Sequence, residues 1–232
     1  MTNAIKQYDF TLEEVTKLFQ MQDTLNSYIH PEWKTQGFNW GLAIVDECME
    51  IHGHLGWKWW KKDYQVGLHE GNRKQVQLEV IDILHFIVSD WHVQGWEQYA
   101  LENLNYTCQV YPIDYCLKHM QRDIGNERID TTFNIWINLA HGTGLTKSQI
   151  LETYTQKYVL NKFRQDHGYK TGEYCKEWQL PTSIHNGAPE NWEDNEVLEH
   201  LVRQLQQGNH STTDENLLYA ELESLYNSRL NQ

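Results

Sequence analysis

Two pairs of acidic residues have a spacing that could serve phosphate chemistry. Glu47 and Glu50 are three residues apart, and so are Glu79 and Asp82. Residues three apart on an α-helix share one face, with about 5 to 6 Å between their Cβ atoms, so two facing helices could bring these carboxylates together. Like charges in a partly buried site need compensating cations. Carboxylate oxygens suit Mg²⁺ or Mn²⁺, and Mg²⁺ usually also binds substrate phosphates, so the spacing predicts metal-dependent phosphate chemistry.

An ordinary solvated helix face is the alternative for each acidic pair, and it is the usual explanation of a single E-x-x-E pattern. Glu79 and Asp82 weaken that alternative because they lie within residues 76–88, a segment that is otherwise almost wholly apolar. A charged side chain in a buried helix needs a partner that compensates its charge. The apolar surroundings therefore favour the metal hypothesis.

Two amides interrupt the apolar stripe of the first predicted helix. Gln22 follows Leu18 by four residues and precedes Leu25 by three, and Asn26 lies one turn further along the same edge. An amide offers donors and an acceptor, so it can read the hydrogen-bonding edge of a nucleobase. The alternative is a core amide whose hydrogen bonds are satisfied within the protein, or a residue at the helix C-terminus. Without other evidence this alternative is preferred.

A basic cluster surrounds Gly168 near the end of another predicted helix. Its members are Lys162, Arg164, Lys170 and Lys176. In a chain with a formal net charge of −13, such a local cluster could bind phosphate, and an arginine could do so through two parallel hydrogen bonds. A charged surface without a ligand is the alternative.

Apolar periodicity predicts that helices position these residues. Thr11 and Glu14 form a capping box that begins the first helix, and Thr146 and Gln149 form another. Helices are predicted from residue 11, over 39–54, 74–91, 113–124, 133–140 and 146–166, and over 197–205 and 215–230 in the C-terminal part. The aromatic and basic segment 57–62, WKWWKK, connects the second helix to the third, and loops of this kind often carry ligand contacts. Without an internal repeat or β-α-β alternation, the sequence predicts an all-α helical bundle.

Composition excludes several classes of protein. A chain of 232 residues with 40% hydrophobic residues can bury one sizeable core, and we expect a catalytic domain over residues 1–180 with a helical appendage over 181–232. The net negative charge disfavours nucleic-acid binding. The cysteines lack a C-x-x-C pair, and His52 and His54 are only two residues apart, so a zinc site is not expected and the histidines are interpreted as surface or packing residues.

The cellular location is predicted from two absences. The first residues, MTNAIKQYDF, lack the basic flank and apolar run of a secretory signal. The sequence also lacks a stretch approaching the roughly 20 apolar residues that span a bilayer. We therefore expect a soluble, cytoplasmic protein that binds neither membranes nor nucleic acids.

Taken together, these segments resemble the motifs of the dimeric all-α dUTPase family, part of the all-α nucleoside triphosphate pyrophosphohydrolase group. The family's motifs occur in order: Q-x-x-L-N at 22–26, E-x-x-E at 47–50, W-K-x-W-K at 57–61, E-x-x-D at 79–82 and N-x-F-R-Q-x-x-G-Y-K-x-G at 161–172. The acidic motifs mark the whole group, whereas the last one is far more specific. The resemblance covers about residues 10–180 and leaves the C-terminal part unmatched.

The resemblance implies a role for each matching residue. Magnesium ions, with Mn²⁺ as a substitute, would be bound by Glu47, Glu50, Glu79 and Asp82. The base and the sugar would be bound by Gln22, Asn26, Trp60 and His85. The phosphates would be bound by Lys61, Asn161, Arg164, Tyr169, Lys170 and Lys176.

The implied reaction is hydrolysis of dUTP to dUMP and pyrophosphate by attack of an activated water on the α-phosphorus, with dUDP as a further candidate substrate. Glu47 is the candidate catalytic base that orients and deprotonates this water. In this family sites are completed across a homodimer, so we expect a homodimer. A pyrophosphatase that accepts dCTP as well as dUTP, or further deoxynucleotides, is the closest alternative. A non-catalytic helical dimeric scaffold is the alternative of another class.

Overall fold

Helices dominate the part of the chain that this computed structural model describes, which is residues 6–62, 65–103, 105–126, 131–181, 184 and 191–230. The predicted all-α class is confirmed. Contacts divide the chain into two compact units, Met1–Tyr154 and Thr155–Gln232. The division falls within the helix Lys147–Asp166, and the predicted boundary at residue 181 between a catalytic domain and an appendage stays a prediction. Among the described helices, none is long and apolar enough to cross a membrane.

The first unit consists of helices and one short antiparallel ribbon. Its elements are β1 (Lys6–Asp9), α1 (Leu12–Ile29), a 3₁₀ turn (Trp33–Thr35), α2 (Trp40–His54), α3 (Glu70–Gln94), α4 (Glu97–Glu102), β2 (Asn105–Cys108), α5 (Ile113–Gly125), α6 (Thr132–Gly142) and the start of α7 (Lys147–Asp166). Strand β1 pairs with β2, with Tyr8 opposite Tyr106. The strands and α4 were not predicted, because segments of four to six residues show too little periodicity to be identified from sequence.

Both predicted capping boxes begin helices. In α1, the backbone N–H of Thr11 donates to Glu14 Oε2 over 2.7 Å, and the Glu14 N–H donates to Thr11 Oγ1 over 3.2 Å. At α7, the Thr146 N–H donates to the Gln149 side chain over 3.0 Å, and the Gln149 N–H donates to Thr146 Oγ1 over 3.3 Å. These side chains satisfy N–H groups that have no partner within the helix, which fixes where each helix starts.

Helix α3 forms the core of the first unit. It packs against α1, α2 and α6, and its residues from Val76 to Trp91 are mostly buried. Each large aliphatic side chain buried there contributes about 1.5 to 3 kcal/mol to folding. The Trp136 indole N–H of α6 donates to the Val80 carbonyl oxygen over 2.7 Å, which fixes α6 against the middle of α3. Acidic residues on such a helix are held within a packed environment.

The start of α3 is tied to the end of α2. Helix α3 begins four residues earlier than the predicted 74–91, because the His69 N–H donates to Asn72 Oδ1 over 2.8 Å and caps the helix there. The Asn72 amide in turn donates to the carbonyl oxygens of His54 and Gly67, both over 2.9 Å. This buried amide sets the register between the two helices that carry the acidic motifs.

The second unit combines the end of α7 with a small sheet and two helices. Its elements are β3 (Glu177–Gln179), β4 (Asn191–Glu193), α8 (Asp194–Gln207) and α9 (Glu215–Asn227). The strands are antiparallel, with Glu177 opposite Glu193 and Trp178 opposite Trp192. Both predicted C-terminal helices are present, although α9 ends before the predicted residue 230. Buried aromatic residues of α7, β3 and α9, among them Phe163, form the core of this unit.

Candidate active site

The acidic side chains of α2 and α3 meet in the first unit. The carboxylate oxygens of Glu47, Glu50 and Glu79 all lie within 4.8 Å of one another. Glu79 is 2% exposed, Glu47 is partly buried and Glu50 is exposed. Asp82 lies one turn further along α3 and is partly buried, and it falls outside this group of oxygens. The structure therefore brings three of the four predicted metal ligands together.

The donor set of this cluster fits a divalent cation. Three carboxylates at this separation repel one another, and one of them is almost completely buried, so a cation between them would offset both the repulsion and the loss of hydration. The ligand atoms are hard oxygens, which Mg²⁺ and Mn²⁺ prefer over the softer ligands that zinc and copper sites use. The open side at Glu50 leaves room for water or a substrate phosphate.

A histidine that the sequence interpretation set aside lies beside the cluster. His54 Nε2 is 3.4 Å from Glu79 Oε1, and the histidine side chain is about one third exposed. Its distance from His52 in sequence gave no reason to single it out, but it follows Glu50 by four residues and so shares that helix face. The i, i+4 relation to a predicted ligand is the signal that could have identified it.

Gln22 lies in a buried hydrogen-bond network with two aromatic residues of the first unit. The Tyr154 hydroxyl donates to Gln22 Oε1 over 2.7 Å, and His85 Nδ1 lies 2.7 Å from the same oxygen. The His85 ring stacks on Tyr154 with 3.8 Å between centroids. Burial raises the pKa of Tyr154 well above its usual value, so the hydroxyl stays protonated and remains a donor. Because the Gln22 oxygen only accepts, His85 donates to it from Nδ1.

Asn26 extends the same network. The Gln22 side-chain amide donates to Asn26 Oδ1 over 2.9 Å, and the Asn26 amide donates to Ser89 Oγ over 2.9 Å. The Ser89 hydroxyl donates to the His85 carbonyl oxygen over 2.7 Å. Gln22, Asn26 and His85 are each less than a tenth exposed. The structure thus brings three of the four predicted base and sugar residues together, in the internally bonded arrangement that the core-amide alternative describes.

Trp60 and Lys61 lie on the surface, in the loop after α2. Trp60 is 56% exposed, its ring meets those of Trp57 and Trp59 edge to face, and Lys61 is exposed. The loop turns at Gly56, whose φ is +67°, and a Cβ atom there would come within 1.9 Å of the Gln65 carbonyl oxygen. Only glycine allows this close backbone approach. The aromatic and basic side chains are thus carried by a loop whose base is sterically fixed.

The predicted phosphate residues after residue 155 belong to the second unit, where they fall into two groups. Tyr169, Lys170 and Lys176 are exposed, and the Lys176 ammonium lies 5.5 Å from the centre of the Tyr169 ring. Gly168 turns the chain with a φ of +84°, and its carbonyl oxygen accepts from the Thr171 and Glu173 N–H groups. This turn begins a basic loop over residues 167–176, which presents cations to solvent.

Arg164 and Asn161 form the second group, and they are engaged internally. Arg164 donates from Nε and Nη2 to the two carboxylate oxygens of Asp194, each over 2.8 Å, and from Nη1 to Asn161 Oδ1 over 2.9 Å. The Tyr174 hydroxyl also donates to Asp194, over 2.8 Å. Asp194 and Tyr174 were missed, because nothing in their local sequence indicates that they meet Arg164.

The ion pair of Arg164 and Asp194 makes a testable contribution to stability. Burial opposes ionisation of Asp194, but the hydrogen bonds and charge of Arg164 outweigh it and hold the pKa of the carboxyl below its usual value. A carboxyl whose pKa is lower in the folded protein stabilises it above the unfolded pKa of about 3.9, and this contribution is lost as the pH falls through the folded pKa.

We expect Asp194→Asn to lower the free energy of unfolding by about 3 kcal/mol or more at pH 7, since it leaves a buried arginine unpaired. The difference between variant and wild type should shrink as the pH is lowered below about 4. Urea unfolding of both proteins at a series of pH values from neutral to acid measures it. A difference that stays constant over that range would show that the charge of Asp194 contributes nothing.

A separate cleft of the first unit lies away from the candidate residues. It has a volume of about 890 Å³, and its lining includes Asn39, Leu42, Asp90 and Gln121 but none of the predicted site residues. Burial raises the pKa of Asp90 above its usual value. Cleft size alone therefore does not locate the cluster of carboxylates.

The cysteines differ in accessibility. All four are free thiols; Cys48, Cys108 and Cys116 are buried, and Cys175 is exposed within the basic loop. Burial raises the pKa of Cys48 to about 12 and that of Cys116 to about 11. Cys175 is therefore the thiol in contact with solvent.

Comparison with known proteins gives one match of broad coverage. The family whose model matches is described as dUTPase, and the match extends over residues 14–169. It includes the acidic pairs, the amide network and the start of the basic loop, and it ends before Asp194. A search of curated proteins finds no match.

Proposed function

This chain belongs to the all-α dUTPase family and is a dUTP diphosphatase, and from that premise we propose that it hydrolyses dUTP to dUMP and pyrophosphate in a Mg²⁺-dependent reaction. The observation that carries the proposal is the convergence of Glu47, Glu50 and Glu79 from two helices, with their oxygens within 4.8 Å. The family implies a divalent metal, and these oxygens are the donors that Mg²⁺ takes in proteins.

The proposed metal ligands are Glu47, Glu50 and Glu79, with Asp82 completing the set. Divalent cations bound there would supply positive charge that activates water and neutralises the substrate's phosphates. Glu47 accepts a proton from the attacking water as the water oxygen bonds to the α-phosphorus. The bond between the α-phosphorus and the bridging oxygen breaks, and that oxygen leaves with pyrophosphate. Glu47 suits this role because it is partly buried, whereas Glu79 is buried and Glu50 is exposed.

Phosphate binding is assigned to the exposed cations of the loop after α2 and of the basic loop over residues 167–176. Lys61, Lys170 and Lys176 carry charges that can neutralise the leaving pyrophosphate, and Tyr169 beside Lys176 adds a hydroxyl. Arg164 and Asn161 also remain in the proposed set, although their hydrogen bonds in the second unit are to protein groups.

Base selection is assigned to Gln22, Asn26 and His85, with Trp60 as an exposed aromatic surface for stacking. To bind a base, these buried side chains must exchange hydrogen bonds within the protein for hydrogen bonds to the ligand. A ligand that leaves one of the buried polar groups unpaired is therefore bound more weakly. Uracil would be chosen over thymine by a pocket too tight for the 5-methyl group, and over cytosine by the placement of donor and acceptor at position 4.

The experiment that tests this function is release of pyrophosphate from dUTP, dCTP, dTTP, dATP, dGTP and UTP, each with Mg²⁺ and again with chelator. We expect Mg²⁺-dependent release from dUTP alone, and release of phosphate from dUDP. Comparable release of pyrophosphate from dCTP would identify the enzyme as a pyrimidine pyrophosphatase of broader specificity. Absence of release from every nucleotide, together with no thermal stabilisation by Mg²⁺ and dUTP, would favour the non-catalytic scaffold.

We also propose that the enzyme is a homodimer, as the resemblance to the dimeric family implies. Exposed tryptophans of the loop after α2, with Trp59 70% exposed, offer apolar surface of the kind that interfaces cover. Light scattering on the purified chain measures its mass. Both Glu47→Gln and Lys176→Ala should have lowered activity. If sites are shared between protomers, a mixture of the two should be more active than either variant alone at the same total concentration, whereas independent sites would give no gain.

A further inference from the structure

Asp194 lies at a junction of the second unit that the family match does not include. It follows strand β4 directly and is the first residue of α8. Only 1% of the residue is exposed. A carboxylate so thoroughly buried is retained only when its charge is paired and its oxygens are hydrogen-bonded. Its partners therefore indicate what it does.

The side chain of Asp194 holds one residue before the basic loop and one residue within it. Before the loop, Arg164 of α7 donates two hydrogen bonds to the carboxylate, each over 2.8 Å. Within the loop, the Tyr174 hydroxyl donates a third, also over 2.8 Å. The two-pronged geometry of the arginine fixes the guanidinium in both distance and orientation. One carboxylate thus joins the helix before the loop to the loop itself.

The backbone of Asp194 makes the same connection. Its N–H donates to the Lys176 carbonyl oxygen over 2.9 Å, next to the pairing of Glu177 with Glu193 in the small sheet. Lys176 is thereby held at its main chain, while its side chain is exposed and lies 5.5 Å from the Tyr169 ring centre. The main chain at residue 194 therefore anchors the main chain of the loop's last cation.

The guanidinium of Arg164 donates to protein groups in this structure. Nε, Nη1 and Nη2 all donate to protein oxygens, and the side chain is 12% exposed. The Asp194 carboxylate depends on this pairing, because a buried carboxylate without a charge partner is strongly unfavourable. Tyr169, Lys170 and Lys176, by contrast, are exposed. The ion pair supports the loop, and the loop's own side chains face solvent.

We propose that Asp194 is a positioning residue for phosphate binding: through Arg164, Tyr174 and the Lys176 main chain it holds the basic loop in the shape that presents Lys170 and Lys176. This inference rests on the proposed function, because it takes the loop as the group that binds the substrate's phosphates. It assigns a role to the C-terminal part of the chain, which carries Asp194 and lies beyond the matched residues 14–169.

The test compares Asp194→Asn with a matched control. The variant keeps the size of the side chain and removes its charge. We expect the KM for dUTP to rise about tenfold, and the dissociation constant of inorganic pyrophosphate, measured by calorimetry with Mg²⁺, to rise by a similar factor. The kcat should fall by a smaller factor than in Glu47→Gln, since the carboxylates of α2 and α3 are untouched.

Asp123→Asn in the first unit is the control. Asp123 is also a buried aspartate that accepts hydrogen bonds from an arginine, its neighbour Arg122. It undergoes the same chemical change and also loses an ion pair, although Arg122 is 55% exposed and Arg164 only 12%. It therefore reports what loss of a buried aspartate charge elsewhere in the protein does to the assay. We expect its KM and its pyrophosphate affinity to match those of the wild type at a temperature where all proteins are folded.

A milder variant keeps the test decisive if Asp194→Asn does not fold. Tyr174→Phe removes only the hydroxyl that donates to Asp194. We expect the KM for dUTP and the dissociation constant of pyrophosphate each to rise twofold to fivefold. Unchanged pyrophosphate affinity in the folded variants would overturn the proposal, as would a wild type that does not bind pyrophosphate. Failure of the proposed function would give a different result. The wild type would bind pyrophosphate, and Asp194→Asn would bind it more weakly, but the wild type would release no pyrophosphate from dUTP.

Discussion

Glu47→Gln is expected to lower kcat for dUTP hydrolysis by about a hundredfold to ten-thousandfold, the range that positioned general bases contribute. The glutamine side chain has nearly the same shape and still offers an oxygen to a cation or a water, but it cannot accept a proton. The KM should change much less, because the substrate's base and phosphates are bound by other residues. A pyrophosphate-release assay over a range of dUTP concentrations separates the two constants.

The control for this experiment is the neighbouring acid. Asp46→Asn makes the same chemical change one residue earlier on α2, at an exposed position outside the group of converging oxygens. It should leave kcat within about a factor of two of the wild-type value, since surface substitutions away from a site have small effects. Near wild-type turnover in Glu47→Gln would remove this residue from the role of base, whatever happens to metal binding.

Glu79→Gln is expected to stabilise the protein without metal while abolishing its response to metal. The three clustered carboxylates repel one another at separations within 4.8 Å, and Glu79 is the most buried of them. Two unit charges that far apart repel by about 3 kcal/mol at an effective dielectric constant of about 20. Removing the buried charge relieves part of this repulsion, and each kcal/mol gained should raise the Tm by about 2 to 4 °C for a chain of this size.

The same substitution removes a ligand that pairs with the cation's charge. We expect the wild type, but not the variant, to gain several degrees in Tm on addition of Mg²⁺ with dUTP, because ligands stabilise only the state that binds them. Thermal unfolding with chelator and with Mg²⁺ plus dUTP measures both effects. Pyrophosphate release by Glu79→Gln should fall at least a hundredfold, as expected when electrostatic stabilisation of a developing charge is lost.

A buried acid on the same helix provides the comparison. Asp90 lies in α3, is 4% exposed, and burial raises the pKa of its carboxyl. A raised pKa means that ionisation at neutral pH costs stability, so Asp90→Asn should also stabilise the protein without metal. Unlike Glu79→Gln, it should keep the full response to Mg²⁺ and dUTP. Loss of the metal response in both variants would refute a specific role for Glu79.

Features that depend on local spacing could be predicted from the sequence. The capping boxes at Thr11 and Thr146 identify helix starts because the residues that make them are three apart, and the structure has both. The acidic pairs were found for the same reason. That the acidic side chains meet was inferred from the apolar residues around Glu79 and Asp82. The packing of α2 on α3 brings three of the four acidic side chains together.

Features that depend on distant pairing could not be predicted. Asp194 meets Arg164 thirty residues away because two strands of three residues each pair before α8, and such short strands have no clear sequence signal. The hydrogen bond of Tyr154 to Gln22 likewise joins residues 132 apart. Periodicity indicates which face of a helix is buried and does not indicate which polar partner it meets.

The uneven accessibility of the thiols gives this chain a built-in labelling position. A maleimide dye should attach to the native protein at Cys175, because the other three sulfurs are covered and a thiol reacts as its thiolate, which a high pKa makes scarce. The dye would sit between Tyr174 and Lys176, so its emission would change when an anion reaches the neighbouring lysine. Nucleotide binding could then be followed by fluorescence in stopped-flow experiments, without engineering a reporter into the sequence.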